Sequence, residues 1–240
     1  MPFSSWAGYL DTPMGKGNYE GTVLLPAPTA GVPTPVPTGT SPLGQGTMWF
    51  NDGSSYIGAW SKGSFHGTGF FRTRTFDYNG EFANGKITGK GTKSYKQLGE
   101  YKGWFINGKR EGQGKMTWAD GGTYDGQWIN DKMDGAGKMT WPNGDWWQST
   151  WRGTISETKA GKGQHGPGRA HWHNKPRHPE VLYVGDTKDG LRHGLGTLTK
   201  PEHKYEGNFT NGELHGKIKV TNLNTKKITY RRYHHGDLDD

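Results

Sequence analysis

The sequence predicts an all-β protein, an elongated and twisted array of about eight tandem antiparallel β-hairpins making a single domain over residues 1–240. Three observations predict it. Tyr, Gly and an aromatic residue, two positions apart, recur in phase along the chain. Glycine is abundant at 41 residues, yet Trp, Tyr and Phe together make 13% of the sequence. Asn-Gly, Asp-Gly and Lys-Gly pairs fall between the periodic runs, where tight hairpin turns need positive φ. A hydrophobic content of 30% taken alone would suit a disordered chain. Disordered chains are poor in aromatic rings, so that reading is set aside.

The frame is clearest at Tyr101-x-Gly103-x-Phe105-x-x-Gly108, followed by Gly112-x-Gly114-x-Met116-x-Trp118. It repeats 23 residues later as Tyr124, Gly126, Trp128, Gly135, Gly137, Met139 and Trp141. Further copies start at Tyr56, Tyr78, Tyr183 and Tyr205. Two more are interrupted. One opens at Tyr19-x-Gly21-x-Val23 and resumes at Gly44-x-Gly46-x-Met48, after a Pro/Thr-rich insertion over residues 25–42. The other opens at Trp147-x-Ser149-x-Trp151 and resumes at Gly166-x-Gly168-x-Ala170, within a basic, His-rich insertion and linker over residues 152–182. Trp6-x-Gly8-x-Leu10 reads as a decayed first copy. Thr229-x-Arg231-x-Tyr233 reads as a degenerate half-copy inside a C-terminal cap or tail over residues 217–240.

Residues two apart project from one face of a strand, so each copy is two strands with Tyr, Gly and Trp or Phe on the same side. Glycine weakens a strand. Its recurrence on the aromatic face is explained if bare backbone leaves grooves into which the rings of the neighbouring copy settle. One copy buries too little to stand alone, so stability must rise with copy number.

These residues resemble the MORN (membrane occupation and recognition nexus) repeat, over most of residues 19–216. The departures are Asp131 at a turn glycine, Ser149 and Arg231 at the second position, Thr187 at the aromatic position, and Ile218 in place of a glycine. The resemblance implies a scaffold, a structural subunit of a larger protein assembly. It also implies a cytoplasmic setting, in a cytoskeletal, ciliary or other large assembly.

Catalysis is not expected. The chain has no cysteine, no Gly-x-Ser-x-Gly elbow and no His-Glu-x-x-His helix. Gly112–Lys115 and Gly135–Lys138 contain Gly-x-Gly-Lys, but the repeat explains them and they lack the form of a phosphate loop. His171 and His173 share a face, with His165 and His178 nearby, yet without a carboxylate at suitable spacing they read as a solvated basic strand. Neither a metal nor a cofactor is expected. The N-terminus lacks the basic start and apolar run of a signal peptide, and no stretch has the length of a membrane span.

Two surfaces are candidates for partners. By strand parity Trp49, Phe70, Trp104 and Trp146 point away from the ring-lined face, with Ile57, Ile106 and Ile129. Exposed aromatics mark interfaces, so these predict a protein-contacting face unless insertions or the C-terminal tail cover them. The net charge of +8 is concentrated late: residues 151–240 carry 16 basic and 10 acidic side chains. Arg169, Lys175, Arg177, Lys226, Lys227, Arg231 and Arg232 therefore form the alternative, a basic surface for anionic phospholipid. Nucleic acid is disfavoured, because the in-register rings are needed for the core.

Overall fold

The computed structural model describes residues 3–24, 41–155, 164–172 and 181–239, which contain 19 β-strands and no helix. Two compact units, Met1–Glu111 and Gly112–Asp240, divide the chain. The first holds β1 (Phe3–Thr12), β2 (Gly15–Leu24), β3 (Ser41–Phe50), β4 (Ser55–Ser61), β5 (Ser64–Arg72), β6 (Phe76–Ala83), β7 (Lys86–Tyr95) and β8 (Gly99–Ile106). The division falls within β9 (Lys109–Trp118). The second unit holds β10 (Thr123–Ile129), β11 (Lys132–Thr140), β12 (Trp146–Ile155), β13 (Gln164–Trp172), β14 (Val181–Lys188), β15 (Leu191–Thr199), β16 (His203–Thr210), β17 (Glu213–Asn222), β18 (Ile228–His234) and β19 (Asp237–Leu238).

Within each unit the strands pair antiparallel with their neighbours in sequence, from β1–β2 to β7–β8 and from β9–β10 to β18–β19. The hairpin reading therefore holds. Strands also stand at its ends. At the decayed copy around Trp6, β1 pairs with β2 from Phe3 opposite Leu24 to Thr12 opposite Gly15. At the other end β17 and β18 carry the ladder on through the half-copy at Thr229, with Tyr233 buried in it. Residues 25–40 of the Pro/Thr-rich insertion, and 156–163 and 173–180 of the His-rich one, lie outside the described residues. Ser41 and Pro42 already belong to β3, opposite Leu24 and Val23.

The core shows why the frame takes its form. Tyr19, Tyr56, Tyr78, Tyr124 and Tyr183 each lie over glycines of their own copy, which corrects the expectation that the neighbour's ring fills that space. A Cβ added at Gly80 would stand 2.5 Å from the Tyr78 hydroxyl and 2.6 Å from Gly91 Cα, and one at Gly91 would overlap the Tyr78 ring. The ring end has a fixed partner: Tyr19, Tyr56, Tyr124 and Tyr183 donate their hydroxyls to the carbonyls of Thr22, Ala59, Gln127 and Asp186, at 2.7 to 3.0 Å. Those four acceptors sit at bulges, where the ladder to the next strand skips a residue. The hydroxyl thus satisfies a carbonyl beside a break in the pairing.

The neighbouring copy contributes an edge rather than a ring over glycine. Trp60 meets Tyr56 at 5.1 Å and Tyr19 of the preceding copy at 5.5 Å, both near perpendicular. Phe82 bridges Tyr78 and Tyr56 in the same way, Phe105 bridges Tyr101 and Tyr78, and in the second unit Trp151 reaches Tyr124. Edge-to-face pairs of this kind add roughly 0.5–1.5 kcal/mol each beyond burial. Trp60, Trp128 and Trp151 also donate their indole N–H to the carbonyls of Gly46, Gly114 and Gly137.

The first glycine of each Gly-x-Gly pair has a different task. Gly89 has φ +60, which places the bulge, whereas Gly91 provides the bed for the ring. Turns follow the expected chemistry, as in Asn107-Gly108 with φ of 51° and 82°. The turns are also tied to the copy before: the N–H of Gly85 donates to Phe65 C=O at 2.9 Å and that of Gly108 to Ile87 C=O at 2.8 Å. In the second unit Gly212 donates likewise to Arg192.

Two measurements test this account. Gly91→Ala should cost about 3 kcal/mol or more in urea unfolding, because backbone and ring must both shift. Gly108→Ala should cost only about 1 kcal/mol, since open space surrounds it and only its positive φ is strained. Burial pushes the phenols of Tyr19, Tyr78 and Tyr183 up to about 12, and that of Tyr56 in the same direction. An unfolded tyrosine ionises near pH 10. These rings therefore contribute fully below about pH 10, and their contribution is lost as pH rises from there to about 12. Urea midpoints should fall over that window, with the phenolate absorbance of the buried rings appearing together with unfolding.

Candidate interaction surfaces

Alternation along the strands gives each unit a ring face and an outer face. On the outer face of the first unit Trp49, Ile57, Trp104 and Ile106 are exposed, and Phe70 is half-buried against Ile57 in register. Ile129 is exposed and Trp146 half-buried on the outer face of the second. The parity argument therefore placed these side chains on the correct side. Among the described residues, cations stand against three of the aromatics. Arg72 stands 5.2 Å from the Phe70 ring centre and Lys90 5.2 Å from that of Trp104. Lys138 stands 4.6 Å over Trp146, whose other neighbour is His171, stacked at 6.0 Å from the paired strand. Each such cation contributes about 0.5–1 kcal/mol at an exposed site. These rings are partly occupied by their own chain.

Among the described residues, the basic candidates do not gather on one surface. Arg169 projects from the outer face of β13. Arg231 and Arg232 point to opposite sides of β18, and Lys226 and Lys227 lie in the turn before it. Lys175 and Arg177 lie outside the described residues, as does His173 of the histidine pair. A smaller cluster does form on the outer face of the last hairpin. There Tyr230 and Ile228 are exposed, Arg232 pairs in register with Lys217, and the Lys217 ammonium lies 4.9 Å from the Tyr230 ring.

A concave surface lies elsewhere, on the ring face of the first unit. A groove of about 720 Å³ runs over Phe50, Phe65, Phe71, Phe76, Phe82 and Ile87. That volume falls within the usual range of ligand pockets, roughly 300–1,000 Å³. The rings touch one another: Phe65 stacks on Tyr56 at 3.8 Å and meets Phe71 at 5.3 Å, and Phe71 meets Phe76 at 6.0 Å. One side is closed by the turn of the first hairpin, because Met14 Sδ would stand 2.5 Å from a Cβ at Gly85. The groove is thus made by β1–β2 as well as by regular copies.

Its charges are specific. Lys16, Lys86 and Lys93 line it together with Asp52. Lys16 is paired with Asp11 at 3.0 Å. The Asp52 carboxylate accepts from the Ser54 hydroxyl and N–H, which lower its pKa in that order. Lys86 is exposed on the rim. Lys93 is on the ring face, opposite Tyr78, where the other copies place Met48, Phe71, Met116, Met139, Leu198 and Val220. Its ammonium lies 4.1 Å from the Phe76 ring centre and 5.1 Å from that of Tyr95. Residue parity concealed this site, since attention to outward rings passes over a groove built from inward ones. A signal existed: a lysine interrupts an otherwise apolar column.

The second unit has a groove of about 580 Å³ over Leu198, Phe209, Leu214 and Arg192. Arg192 is engaged there, donating from both Nε and Nη2 to the Gly212 carbonyl. This arginine ties one copy to the next.

The chain matches none of the curated proteins. The model of the MORN repeat matches residues 42–55, 56–75, 78–97, 101–123, 124–146, 183–203 and 205–217, over half of the chain. Six of these segments coincide with the copies at Tyr56, Tyr78, Tyr101, Tyr124, Tyr183 and Tyr205, and residues 42–55 are the second half of the copy opened at Tyr19. Repeats of this kind are generally involved in protein and membrane interactions. With the hairpins, the ring-on-glycine packing and the seven matched segments in agreement, the chain belongs to the MORN-repeat family.

Proposed function

We propose that the chain is a non-catalytic scaffold, a structural subunit that binds a segment of a partner protein along the ring face of the Met1–Glu111 unit. The groove over Phe50, Phe65, Phe71 and Phe76 carries this reading. It offers contiguous aromatic surface at a concave site, the arrangement in which a few anchor side chains supply most binding energy. The outer face is a weaker candidate. In the first unit Phe70 and Trp104 on that face already hold a cation, which a partner would have to displace or accommodate. The test is co-purification from the native source with three forms of the full chain. Lys86→Glu and Phe76→Ser should each lose the partner, while Trp49→Ser combined with Trp104→Ser should retain it. Loss only in the outer-face variant would reject the groove.

A second reading, attachment to an anionic membrane surface, is favoured by one observation. Exposed Ile228 and Tyr230 lie among Lys217, Lys226, Lys227 and Arg232 on the last hairpin, combining apolar and basic groups as interfacial binding requires. On this reading the protein should sediment with vesicles containing phosphatidylserine at low salt, and Lys226→Glu with Lys227→Glu and Arg232→Glu should leave it in the supernatant. Equal sedimentation of the charge-reversed protein would dismiss it.

A further inference from the structure

We infer that three histidines of the last hairpin, His215, His234 and His235, make its attachment to an anionic membrane surface respond to pH. Binding tightens as the pH falls through the range in which histidine becomes charged. The membrane reading of that hairpin is the basis, and what is added is how the attachment is regulated.

Three of the ten histidines of the chain come together here from separate elements. His215 belongs to β17, His234 is the last residue of β18, and His235 opens the turn into β19. Their ring centres lie 5.5 Å apart for His215 and His234, 5.7 Å for His215 and His235, and 4.4 Å for His234 and His235. The backbone holds this approach. The N–H of Gly236 donates to Leu214 C=O at 3.0 Å, tying the turn to β17. His235 has φ of 48°, a conformation that histidine enters more readily than most residues. The repeat itself does not ask for such a cluster. His66 and His193 stand before a bulge glycine as His215 does, but the next strand then ends in Ala83-Asn84 and Thr210-Asn211.

The cluster adjoins the surface that a membrane would cover. Lys217 faces Arg232 across β17 and β18, and the same register sets His215 against His234 on the outer face. Arg232, Tyr230 and Ile228 continue along that face of β18, all exposed. His234 and His235 are exposed as well, and His215 is half-buried.

The surrounding charges make the histidines decisive. Lys217, Lys226, Lys227 and Arg232 are the cations of the hairpin. Against them stand Glu213, packed on Gly236, then Asp237 in register with His234, and Asp239, whose N–H donates to Arg232 C=O. On β16, Asn208 faces His215, and Glu206 is bridged by Lys204 and Lys219. Hydrogen bonds from Lys204, and after it Lys219, hold the Glu206 carboxyl below the usual carboxylate range, so its charge stays constant while histidines titrate. With neutral histidines, four cations therefore meet three acids, a small positive excess. Histidine changes charge between about pH 5 and 8, so acidification adds up to three positive charges beside the exposed Tyr230 and Ile228. Each cation near an anionic leaflet strengthens attachment, and the apolar pair is then drawn to the interface.

The test sediments the full-length protein with vesicles of phosphatidylcholine and phosphatidylglycerol, whose phosphodiester stays ionised throughout, at about pH 7.5 and about pH 5.5 in equal salt. Wild-type protein should bind about tenfold or more tightly at the lower pH. His234→Thr with His235→Asn gives the last hairpin the residues of the copy before it, so the melting temperature should be unchanged. Most of the pH response should be lost in that variant. His234→Lys with His235→Lys makes the charge permanent, at a positive φ that Lys62 and Lys226 already hold. It should bind at the higher pH as tightly as wild-type protein does at the lower. Equal wild-type binding at both pH values would show that the histidines are not a sensor, while the membrane reading stands. A full pH response in the Thr/Asn variant, or no gain at the higher pH in the Lys/Lys variant, would overturn the assignment in the same way. If no form sediments at either pH, the membrane reading itself falls.

Discussion

The structure depends on one contact, a tyrosine ring laid on glycine backbone with its hydroxyl spent on a carbonyl beside a bulge. Each part requires the others. Without the glycines the ring has no room, as the position of Gly91 under Tyr78 shows. Without the bulge, the acceptors at Thr22, Ala59, Gln127 and Asp186 would be drawn into the ladder and a buried hydroxyl would lack its partner. Without the hydroxyl, a phenylalanine would fill the space but leave the carbonyl unpaired. A chain poor in aliphatic residues can therefore hold a core, because most of its apolar burial is placed in rings that also satisfy backbone.

The departures from the frame support this account, and two of them form a matched pair. Ser149 stands at a glycine position and Thr187 at an aromatic one, and their hydroxyls lie 3.3 Å apart in the buried interior. A small polar residue at one site is thus met by a small polar residue at the other, so neither is stranded. Ile218 stands where a glycine bed is expected, and its Cδ1 occupies the space beside Gly207. Tyr205, whose bed this is, is only half-buried, while Tyr56, Tyr78, Tyr101, Tyr124 and Tyr183 are fully buried. The last full copy has exchanged a ring on glycine for an aliphatic contact with Val220 and Tyr233. Asp131 replaces a turn glycine and retains its positive φ of 68°, a conformation aspartate tolerates better than most residues.

The hairpins and turns were legible because each signal is local. Alternation fixes which side chains share a face, and an Asn-Gly or Asp-Gly pair fixes the turn. The division of labour between the two glycines of Gly-x-Gly was not legible. Gly89 and Gly91 are the same residue in sequence, and only the backbone shows that one is needed for its φ and the other for its missing side chain. The owner of the ring over the bed was assigned to the neighbour for a related reason, since spacing gives a face but not a direction along it. β1 was nearly lost because Trp6, Gly8 and Leu10 lack a second half-copy before them, although a strand needs only β2 to pair with. The groove depends on Met14, Phe50 and Lys93, which come from three separate copies, so no single copy announces it.

The two faces of each unit follow from this packing, and they are unlike as surfaces for recognition. On the outer face, positions opposite the rings are free to vary, and large apolar residues there collect cations, Trp104 and Trp146 from the adjacent strand and Phe70 from its own. Such pairs keep an exposed ring hydrated at its edges and reduce what a partner gains by covering it. On the ring face, tyrosines and their edge partners fill the space near the ring-bearing glycines but not the space beside the turns, where Phe65 and Ile87 are followed two positions later by Gly67 and Gly89. A concavity therefore opens there as a consequence of the frame. What fills or charges it is left to positions the fold does not fix. The second unit spends its arginine on the Gly212 carbonyl. The first places Lys93 among rings, at a position where the other copies have an uncharged residue.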